Sequence, residues 1–290
     1  MPANFEVALP VTDELGEGPW WSAADQVLWR VDILSHRVHR WDPASGTIRH
    51  WDLGGAVGFA VPSGEQSLVA GIGTEICEVD LATGDARPLA AATGPPGLRF
   101  NDGKADRQGR VWAGTMADGE SPIGAFYRLD RGHRLTTVFE GITVSNGLGW
   151  SPDNQTMYYT DSGKRTIWAY DFDAAAGTLG NQRPFAVDED CFPDGLTVDA
   201  EGGVWSAKWD GGRVVRYTPD GTISETIEAP VSRPTSCMFG GPDLDVLYVT
   251  TARVGLDSGE LDATPAGSVL AVRPGVRGLA EAPARIPATD

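Results

Sequence analysis

Residues 146–179 read NGLGWSPDNQTMYYTDSGKRTIWAYDFDAAAGTL, and the order of their turns and apolar runs decides the fold. A polar residue and a glycine open the stretch, an apolar run follows, and the turn SPDN leads into TMYYTD and TIWAYDFD. Residues 194–223, DGLTVDAEGGVWSAKWDGGRVVRYTPDGTI, repeat that order. Short runs rich in Val, Ile, Tyr and Trp between Gly, Asp, Asn and Pro turns are typical of β-strands joined by hairpins.

The same order recurs along the whole chain. Two further copies start at Asp102 and Glu17, and two weaker copies start at Val57 and near Ser236. The six starts follow one another at steps of 40, 45, 44, 48 and 42 residues. Four-stranded units at this spacing are the signature of propeller blades. The sequence therefore predicts an all-β fold, a six-bladed β-propeller with four-stranded blades, as a single domain over residues 1–290.

The rival all-β architectures explain the pattern less well. Trp-Asp dipeptides occur at 41–42, 51–52 and 209–210 but keep no common period, which disfavours a WD-repeat propeller. No stretch has a helical period with caps, and DFDAAAGTLG at 171–180 is the nearest and too short. A ring of blades must close, and NFEVALPV at 4–11 is the candidate outer strand of the last blade.

Charge and cysteine content narrow the class of protein. Lys and Arg total 23 against 40 Asp and Glu, which gives a net charge of −17 and disfavours nucleic acid or anionic membranes as partners. Three dispersed cysteines without a CxxC pair indicate reduced thiols. The N-terminus shows no secretory signal, and no apolar run is long enough for a membrane span. We expect a cytoplasmic monomer or weak homo-oligomer.

The register of the repeats points several polar side chains at one axis. In a propeller, the innermost strand of each blade lines the central channel, so equivalent positions converge there. Converging carboxylates repel one another unless a positive charge lies between them, and oxygen ligands suit Ca²⁺, Mg²⁺ or Mn²⁺ and tolerate Zn²⁺ or Fe²⁺. A divalent cation site is therefore predicted, with ordinary strand-start turns as the alternative. The aligned positions are Glu17, Val57, Asp102, Asn146, Asp194 and Ser236, with Asn101 just before Asp102.

Other catalytic motifs are missing from the sequence. It contains no GxSxG elbow, HExxH pair, Walker loop or EF-hand loop. The four histidines fall in strands or turns away from the aligned positions and are expected at the surface. SGKRT at 162–166 lacks the upstream glycine of a phosphate loop and is interpreted as a hairpin turn.

Five ordered motifs make the sequence resemble a known family. They are GEGPWW at 16–21, RFNDGKAD at 99–106, GTMADGE at 114–120, VSNGLGWSPD at 144–153 and FPDGLTVDAEG at 192–202. Together they resemble the regucalcin (senescence marker protein)/gluconolactonase family, with motifs most similar to those of bacterial sugar lactonases. This resemblance spans essentially the whole chain and implies the same six-bladed propeller.

The resemblance also implies an activity and a set of site residues. It implies hydrolysis of sugar lactones with one bound divalent cation, for which Glu17, Asn146 and Asp194 would be the protein ligands. Asp194 would also orient or deprotonate the attacking water. Arg99 and Asn101 would bind the substrate, and Glu120 would contact the sugar hydroxyls, although some relatives have that glutamate where Gly119 falls here.

The leading hypothesis is a metal-dependent sugar lactonase that acts on a small-molecule aldonolactone. Gluconolactone, xylonolactone, arabinolactone and galactonolactone all stay open as substrates. The alternatives are a Ca²⁺-binding regulatory protein without turnover, a phosphotriesterase or aryl-ester hydrolase on the same fold, and a propeller used only as a scaffold. Whether Asp102 reaches the cation is also open.

Overall fold

The computed structural model describes residues 4–117 and 121–286, and these residues form six sheets of four antiparallel strands. Five sheets are built from strands consecutive in the chain, and the sixth takes its outer strand from the N-terminus. Each innermost strand lies beside the innermost strands of the two neighbouring sheets, which closes the ring. The predicted six-bladed β-propeller is confirmed.

The strands are numbered in chain order, and in blades 1–5 this order runs from the innermost strand to the outermost. The strand β1 spans Glu6–Leu9. Blade 1 contains β2 (Gly16–Ser22), β3 (Val27–Asp32), β4 (Arg37–Trp41) and β5 (Ile48–Asp52). Blade 2 contains β6 (Val57–Pro62), β7 (Ser67–Ile72), β8 (Glu75–Asp80) and β9 (Ala86–Ala91). Blade 3 contains β10 (Arg99–Ala105), β11 (Val111–Met116), β12 (Gly124–Leu129) and β13 (Leu135–Ile142).

The second half of the chain continues the pattern. Blade 4 contains β14 (Ser145–Trp150), β15 (Thr156–Asp161), β16 (Thr166–Asp173) and β17 (Thr178–Val187). Blade 5 contains β18 (Phe192–Val198), β19 (Val204–Trp209), β20 (Arg213–Tyr217) and β21 (Ile223–Glu228). Blade 6 contains β22 (Pro234–Gly240), β23 (Val246–Thr251), β24 (Val269–Val272) and β1. A 3₁₀ turn spans Ser162–Lys164 and a short helix, α1, spans Ser258–Ala263.

The hydrophobic core lies between the blades. Six clusters of buried side chains fill the six junctions between neighbouring blades, and aromatic rings are prominent in several of them. Between blades 2 and 3, for example, the rings of Phe59 and Phe100 pack edge to face with centroids 6.2 Å apart. Burial decreases outward within a blade: β14 is buried at every position, whereas β17 is largely exposed.

Both ends of the described chain join the ring. Strand β1 pairs antiparallel with β24, with Glu6 opposite Ala271 and Leu9 opposite Val269, as expected for residues 4–11. Residues 279–282 pass the far ends of β10, β14 and β18, and the backbone N–H of Ala284 bonds the carbonyl of Pro62 in blade 2. In the part of the chain described here, no helix is long and apolar enough to cross a membrane.

Candidate functional site

A cavity of about 610 Å³ lies at the end of the ring where the innermost strands begin. Five of the predicted site residues line it together: Glu17, Arg99, Asn101, Asn146 and Asp194. They come from four different blades, so only closure of the propeller brings them into one place. The sixth predicted residue, Glu120, lies outside the described residues.

A β-bulge in each contributing innermost strand aims these side chains. In β10, Phe100 pairs with Thr115 and Gly103 with Ala113, so Asn101 and Asp102 together face one residue of β11. Similar register shifts follow Glu17 in β2, Asn146 in β14 and Pro193 in β18. A bulge inserts an unpaired residue and re-aims its neighbours, a device common beside active sites.

The glycine that follows Asn146 lies where two innermost strands meet. A Cβ added at Gly147 would lie 2.5 Å from the backbone nitrogen of Leu196 and 2.6 Å from the carbonyl oxygen of Asp194. Gly147 therefore permits close approach of the innermost strands of blades 4 and 5.

A chain of hydrogen bonds connects the polar residues on one side of the cavity. Arg99 Nη1 donates to Asn101 Oδ1 over 2.5 Å. Asn101 Nδ2 donates to the Ser145 carbonyl over 2.7 Å and to Asn146 Oδ1 over 3.0 Å. Asn146 Nδ2 in turn donates to Ser162 Oγ over 2.8 Å. The side chains of Asn101 and Asn146 are both buried, so these bonds hold their amide planes in place.

Two buried carboxyl groups face the same cavity. Burial raises the pKa of Glu17 to about 8, and the nearby Asp102 carboxylate adds to the rise. Burial also raises the pKa of Asp194 well above its usual range, and the charges of Glu17 and Asp102 raise it further. No hydrogen bond from the described residues reaches Asp194 Oδ1, although this atom is buried. Ionising both groups here calls for a positive charge between them.

The donor set fits a divalent cation. Glu17 and Asp194 offer carboxylate oxygens, and Asn146 offers an amide oxygen, which is the ligand chemistry of Ca²⁺, Mg²⁺ and Mn²⁺. The orphaned Asp194 Oδ1 is an atom that such a cation would satisfy. Across 4–117 and 121–286, no three His, Cys, Asp or Glu side chains group as metal ligands, so the fit depends on the asparagine. No histidine lines this cavity.

Asp102 is buried and is not among the residues that line the cavity. Its Oδ1 accepts a hydrogen bond from the Gly103 N–H over 2.7 Å. Burial raises the pKa of Asp102, and the positive charge of Lys104 opposes that rise. Lys104 Nζ is buried, donates to the Leu196 carbonyl over 2.9 Å and lies 3.5 Å from Glu281. Asp102 therefore has a cationic neighbour within the protein.

The cavity wall was not predicted from the sequence. It is largely apolar, and Arg165 packs its guanidinium over the Phe192 ring, 4.6 Å from the centroid. Ser162 also lines the cavity, in the 3₁₀ turn that confirms the predicted hairpin at 162–166. The sequence did offer a signal for Ser162, because this residue directly follows TMYYTD, the second strand of the repeat that begins at Asn146. The remaining wall residues are Leu15, Ile33, Met116, Thr143, Val144, Gly163 and Trp209.

Comparisons with known proteins show which family the chain resembles. The profile of the SMP-30/Gluconolactonase/LRE-like region matches residues 15–253. Regucalcin of Oryctolagus cuniculus is 36% identical over 290 residues, covering 95% of this chain and 96% of the relative.

Solved structures give the same result. A calcium-binding protein, regucalcin, from Agrobacterium tumefaciens superposes with a TM-score of 0.93 at 29% identity, over 99% of each chain. A gluconolactonase from Xanthomonas campestris superposes with a TM-score of 0.75 at 25% identity, over 93% of this chain and 89% of that one. The chain therefore belongs to the SMP-30/gluconolactonase/LRE-like family.

Proposed function

We propose that this chain hydrolyses sugar (aldono) lactones to aldonic acids with one divalent cation held by Glu17, Asn146 and Asp194. One arrangement carries the proposal: two buried carboxyl groups and an amide oxygen line the same cavity as Arg99 and Asn101. Membership of a family that contains gluconolactonases supports the reaction class. The similarity to a calcium-binding protein supports the cation.

Opening a lactone requires a water molecule at the carbonyl carbon and stabilisation of the oxyanion that forms there. A bound divalent cation supplies Lewis acidity for both needs. Asp194, which lines the cavity, orients the water and accepts its proton. The ring C–O bond then breaks, and the former ring oxygen leaves as a hydroxyl group with the proton that Asp194 took from the water. The aldonic acid ionises at neutral pH.

Arg99 and Asn101 bind the substrate in this proposal. The Arg99 guanidinium donates to ring substituents or to the developing oxyanion, since charge-assisted hydrogen bonds are stronger than neutral ones. Asn101 keeps one lone pair of Oδ1 for a substrate hydroxyl, because Arg99 occupies only the other. Glu120 remains the predicted contact for the sugar hydroxyls.

The apolar wall favours a second candidate substrate, an aryl ester or phosphotriester. An aromatic leaving group could pack against Phe192, Trp209 and Met116. A sugar lactone would contact these side chains only with the C–H groups of its ring. The ratio of kcat/KM for an aldonolactone to that for an aryl ester or organophosphate separates the two. We expect the lactone to be preferred because Arg99 and Asn101, which line the cavity, can hydrogen-bond the hydroxyl groups of a sugar.

The relatives named regucalcin favour a third candidate, a Ca²⁺-binding protein without turnover. Tight Ca²⁺ binding together with no lactone hydrolysis under any cation would support it over the enzyme.

The test is a screen of aldonolactones with protein stripped of metal and reloaded with one cation at a time. Acid release is followed with a pH indicator for gluconolactone, galactonolactone, xylonolactone and arabinolactone. We expect at least one lactone to open faster than in buffer, with the acceleration lost on chelation and restored on reloading. No acceleration with Ca²⁺, Mg²⁺, Mn²⁺, Zn²⁺ or Fe²⁺ would refute the proposed function.

A further inference from the structure

We infer that Ser162 is a positioning residue whose hydroxyl fixes the Asn146 amide with its oxygen toward the cation site. The inference rests on the proposed function, because Asn146 is a cation ligand only there. Ser162 is buried, with 7% of its surface exposed, and lies in the 3₁₀ turn directly after β15. Its hydroxyl bridges the two blades that contribute Asn146 and Asp194.

The direction of the hydrogen bonds follows from the acceptor at their end. Ser162 Oγ lies 2.6 Å from the carbonyl oxygen of Pro193, the residue before Asp194. A carbonyl oxygen can only accept, so the single hydroxyl proton of Ser162 is donated to Pro193. The Ser162 oxygen is then left as an acceptor for Asn146.

This acceptor decides which end of the Asn146 amide faces it. The oxygen and nitrogen of an amide have nearly the same shape, so the hydrogen-bond network determines which is which. Only Nδ2 can donate to Ser162 Oγ, at 2.8 Å, and Oδ1 therefore lies on the opposite side of the amide. There it accepts from Asn101 Nδ2 at 3.0 Å and keeps a second lone pair for a cation.

The rest of the network agrees with this direction. Asn101 Nδ2 also donates to the Ser145 carbonyl, another group that can only accept, so Asn101 turns its own nitrogen toward Asn146. A flipped Asn146 would bring two NH₂ groups together and leave two acceptors facing each other at Ser162. The hydrogen bonds therefore all run in the same donor-to-acceptor direction from Arg99 to Pro193. Ser162 fixes this direction because it makes the last bond of the series.

Ser162 is not proposed as a nucleophile. Its proton is committed to Pro193, and its hydrogen-bond partners in the described ranges are an amide and a carbonyl rather than a general base. A nucleophilic serine would need such a base within hydrogen-bond reach.

The experiment measures cation affinity in the absence of substrate, so that a direct substrate contact by Ser162 has no effect on it. Mn²⁺ binding is titrated by calorimetry or electron paramagnetic resonance for the wild type, Ser162→Ala and Ser162→Thr. We expect Ser162→Ala to raise the Mn²⁺ Kd by roughly 10- to 100-fold, the usual effect of losing a residue that orients a metal ligand. Ser162→Thr, which keeps the hydroxyl, should stay within about threefold of the wild type.

A matched control separates positioning from general loss of a buried hydrogen bond. Ser206 is buried and its Oγ accepts from Lys208 Nζ over 3.1 Å, but it does not line the cavity. Ser206→Ala should keep the wild-type Mn²⁺ affinity. Activity at saturating Mn²⁺ provides a second readout, in which Ser162→Ala recovers most of its kcat because the defect lies in cation binding.

The outcomes distinguish this inference from the proposed function. If wild type binds Mn²⁺ and opens a lactone but Ser162→Ala binds equally well, only the inference is wrong. If Ser162→Thr is folded yet as weak as Ser162→Ala, the hydroxyl is not the cause and the inference is also wrong. If the wild type binds no cation, the inference about Ser162 and the proposed function are both wrong. Should Ser162→Ala fail to fold, Ser162→Cys of similar size gives the same test.

Discussion

Among single residues, the site depends on whether Asn101 or its neighbour Asp102 lines the cavity. The repeat alignment placed Asp102 on the ring, whereas the family resemblance assigned the substrate contact to Asn101. The structure places Asn101 on the cavity wall, whereas Asp102 does not line the cavity and is influenced by the charge of the buried Lys104. The sequence could not decide this, because the alternation of side chains along β10 is interrupted by a bulge between Phe100 and Gly103.

Asp194→Asn tests the role assigned to that carboxylate. The substitution keeps the size of the side chain but removes a charge from the cation site and the base from the water. We expect turnover of the lactone to fall by roughly 100-fold or more, together with weaker Mn²⁺ binding. Asp102→Asn is the matched control and should keep an Mn²⁺ affinity closer to the wild type. Wild-type turnover in Asp194→Asn with Mn²⁺ bound would show that its assigned role is wrong.

Arg99→Met tests the substrate contact separately from the cation. The positive charge of Arg99 lowers the pKa of Glu17, so it also disfavours a second positive charge nearby. We expect the KM for the lactone to rise roughly tenfold or more, from the loss of charge-assisted hydrogen bonds, without any loss of Mn²⁺ affinity. Steady-state kinetics at saturating Mn²⁺ and a binding titration measure the two effects. Weaker Mn²⁺ binding with an unchanged KM would contradict the assignment.

Among the strands and turns, a buried aspartate stabilises the turn between the first and second strands of a blade by accepting several hydrogen bonds. Asp199, which is fully buried, accepts hydrogen bonds from the Gly203 N–H, from Trp205 Nε1 and from Arg216 Nε at 2.7 to 2.9 Å. Asp106 makes similar contacts in blade 3, where it accepts from Trp112 Nε1 and from the N–H and Nε of Arg110, an arginine of the turn itself. The recurring acidic-Gly turn of the repeat is therefore a structural device, separate from the site.

Asp199→Ala should destabilise the fold without touching the cavity. The substitution removes one partner of a buried ion pair and the acceptor for the Gly203 N–H and Trp205 Nε1, while Arg216 keeps Glu201. We expect the free energy of unfolding to fall by about 3 kcal/mol. Urea denaturation at a fixed cation concentration measures it. Asp220→Ala, in an exposed turn of the same blade, is the control and should leave the midpoint nearly unchanged. Equal midpoints for the two variants would contradict the structural role of Asp199.

The elements were predictable to different degrees. The strands could be read from short β-branched and aromatic runs between turns, and residues 171–180 form a strand, a turn and a strand as expected. Helix α1 was missed because six residues are too few for a period to show, although Asp257 caps it by accepting from the Glu260 N–H. The bulges were missed because they depend on pairing between strands rather than on local sequence.

At the scale of the whole molecule, the repeat count and ring closure were both predictable. Six copies in sequence gave six blades, and the N-terminal strand completes the last one. The path of residues 277–286 was not predictable, since it depends on contacts with four different blades. The backbone N–H groups of Gly278, Ala284 and Arg285 bond to carbonyls in blades 6, 2 and 3, and Ala200 in blade 5 bonds to the Arg277 carbonyl.

Removal of residues 277–290 tests whether this segment secures the ring. It would expose the surfaces under Ala284 and Ile286, both buried in the core between blades 2 and 3, and would leave Lys104 without Glu281. Burying one large apolar side chain is worth about 1.5–3 kcal/mol, so we expect the Tm to fall by roughly 5 °C or more. Differential scanning calorimetry measures it, and an unchanged Tm would show that the segment does not stabilise the propeller.

The proposed function depends on one divalent cation that Glu17, Asn146 and Asp194 hold in the cavity. The most direct measurement is anomalous diffraction from crystals of the protein soaked in Mn²⁺. We expect a single strong anomalous peak within roughly 2.0–2.6 Å of oxygens from all three side chains, including Asn146 Oδ1. A soaked crystal without a peak in the cavity, or with one bound only to Asp102 and Glu281, would contradict it.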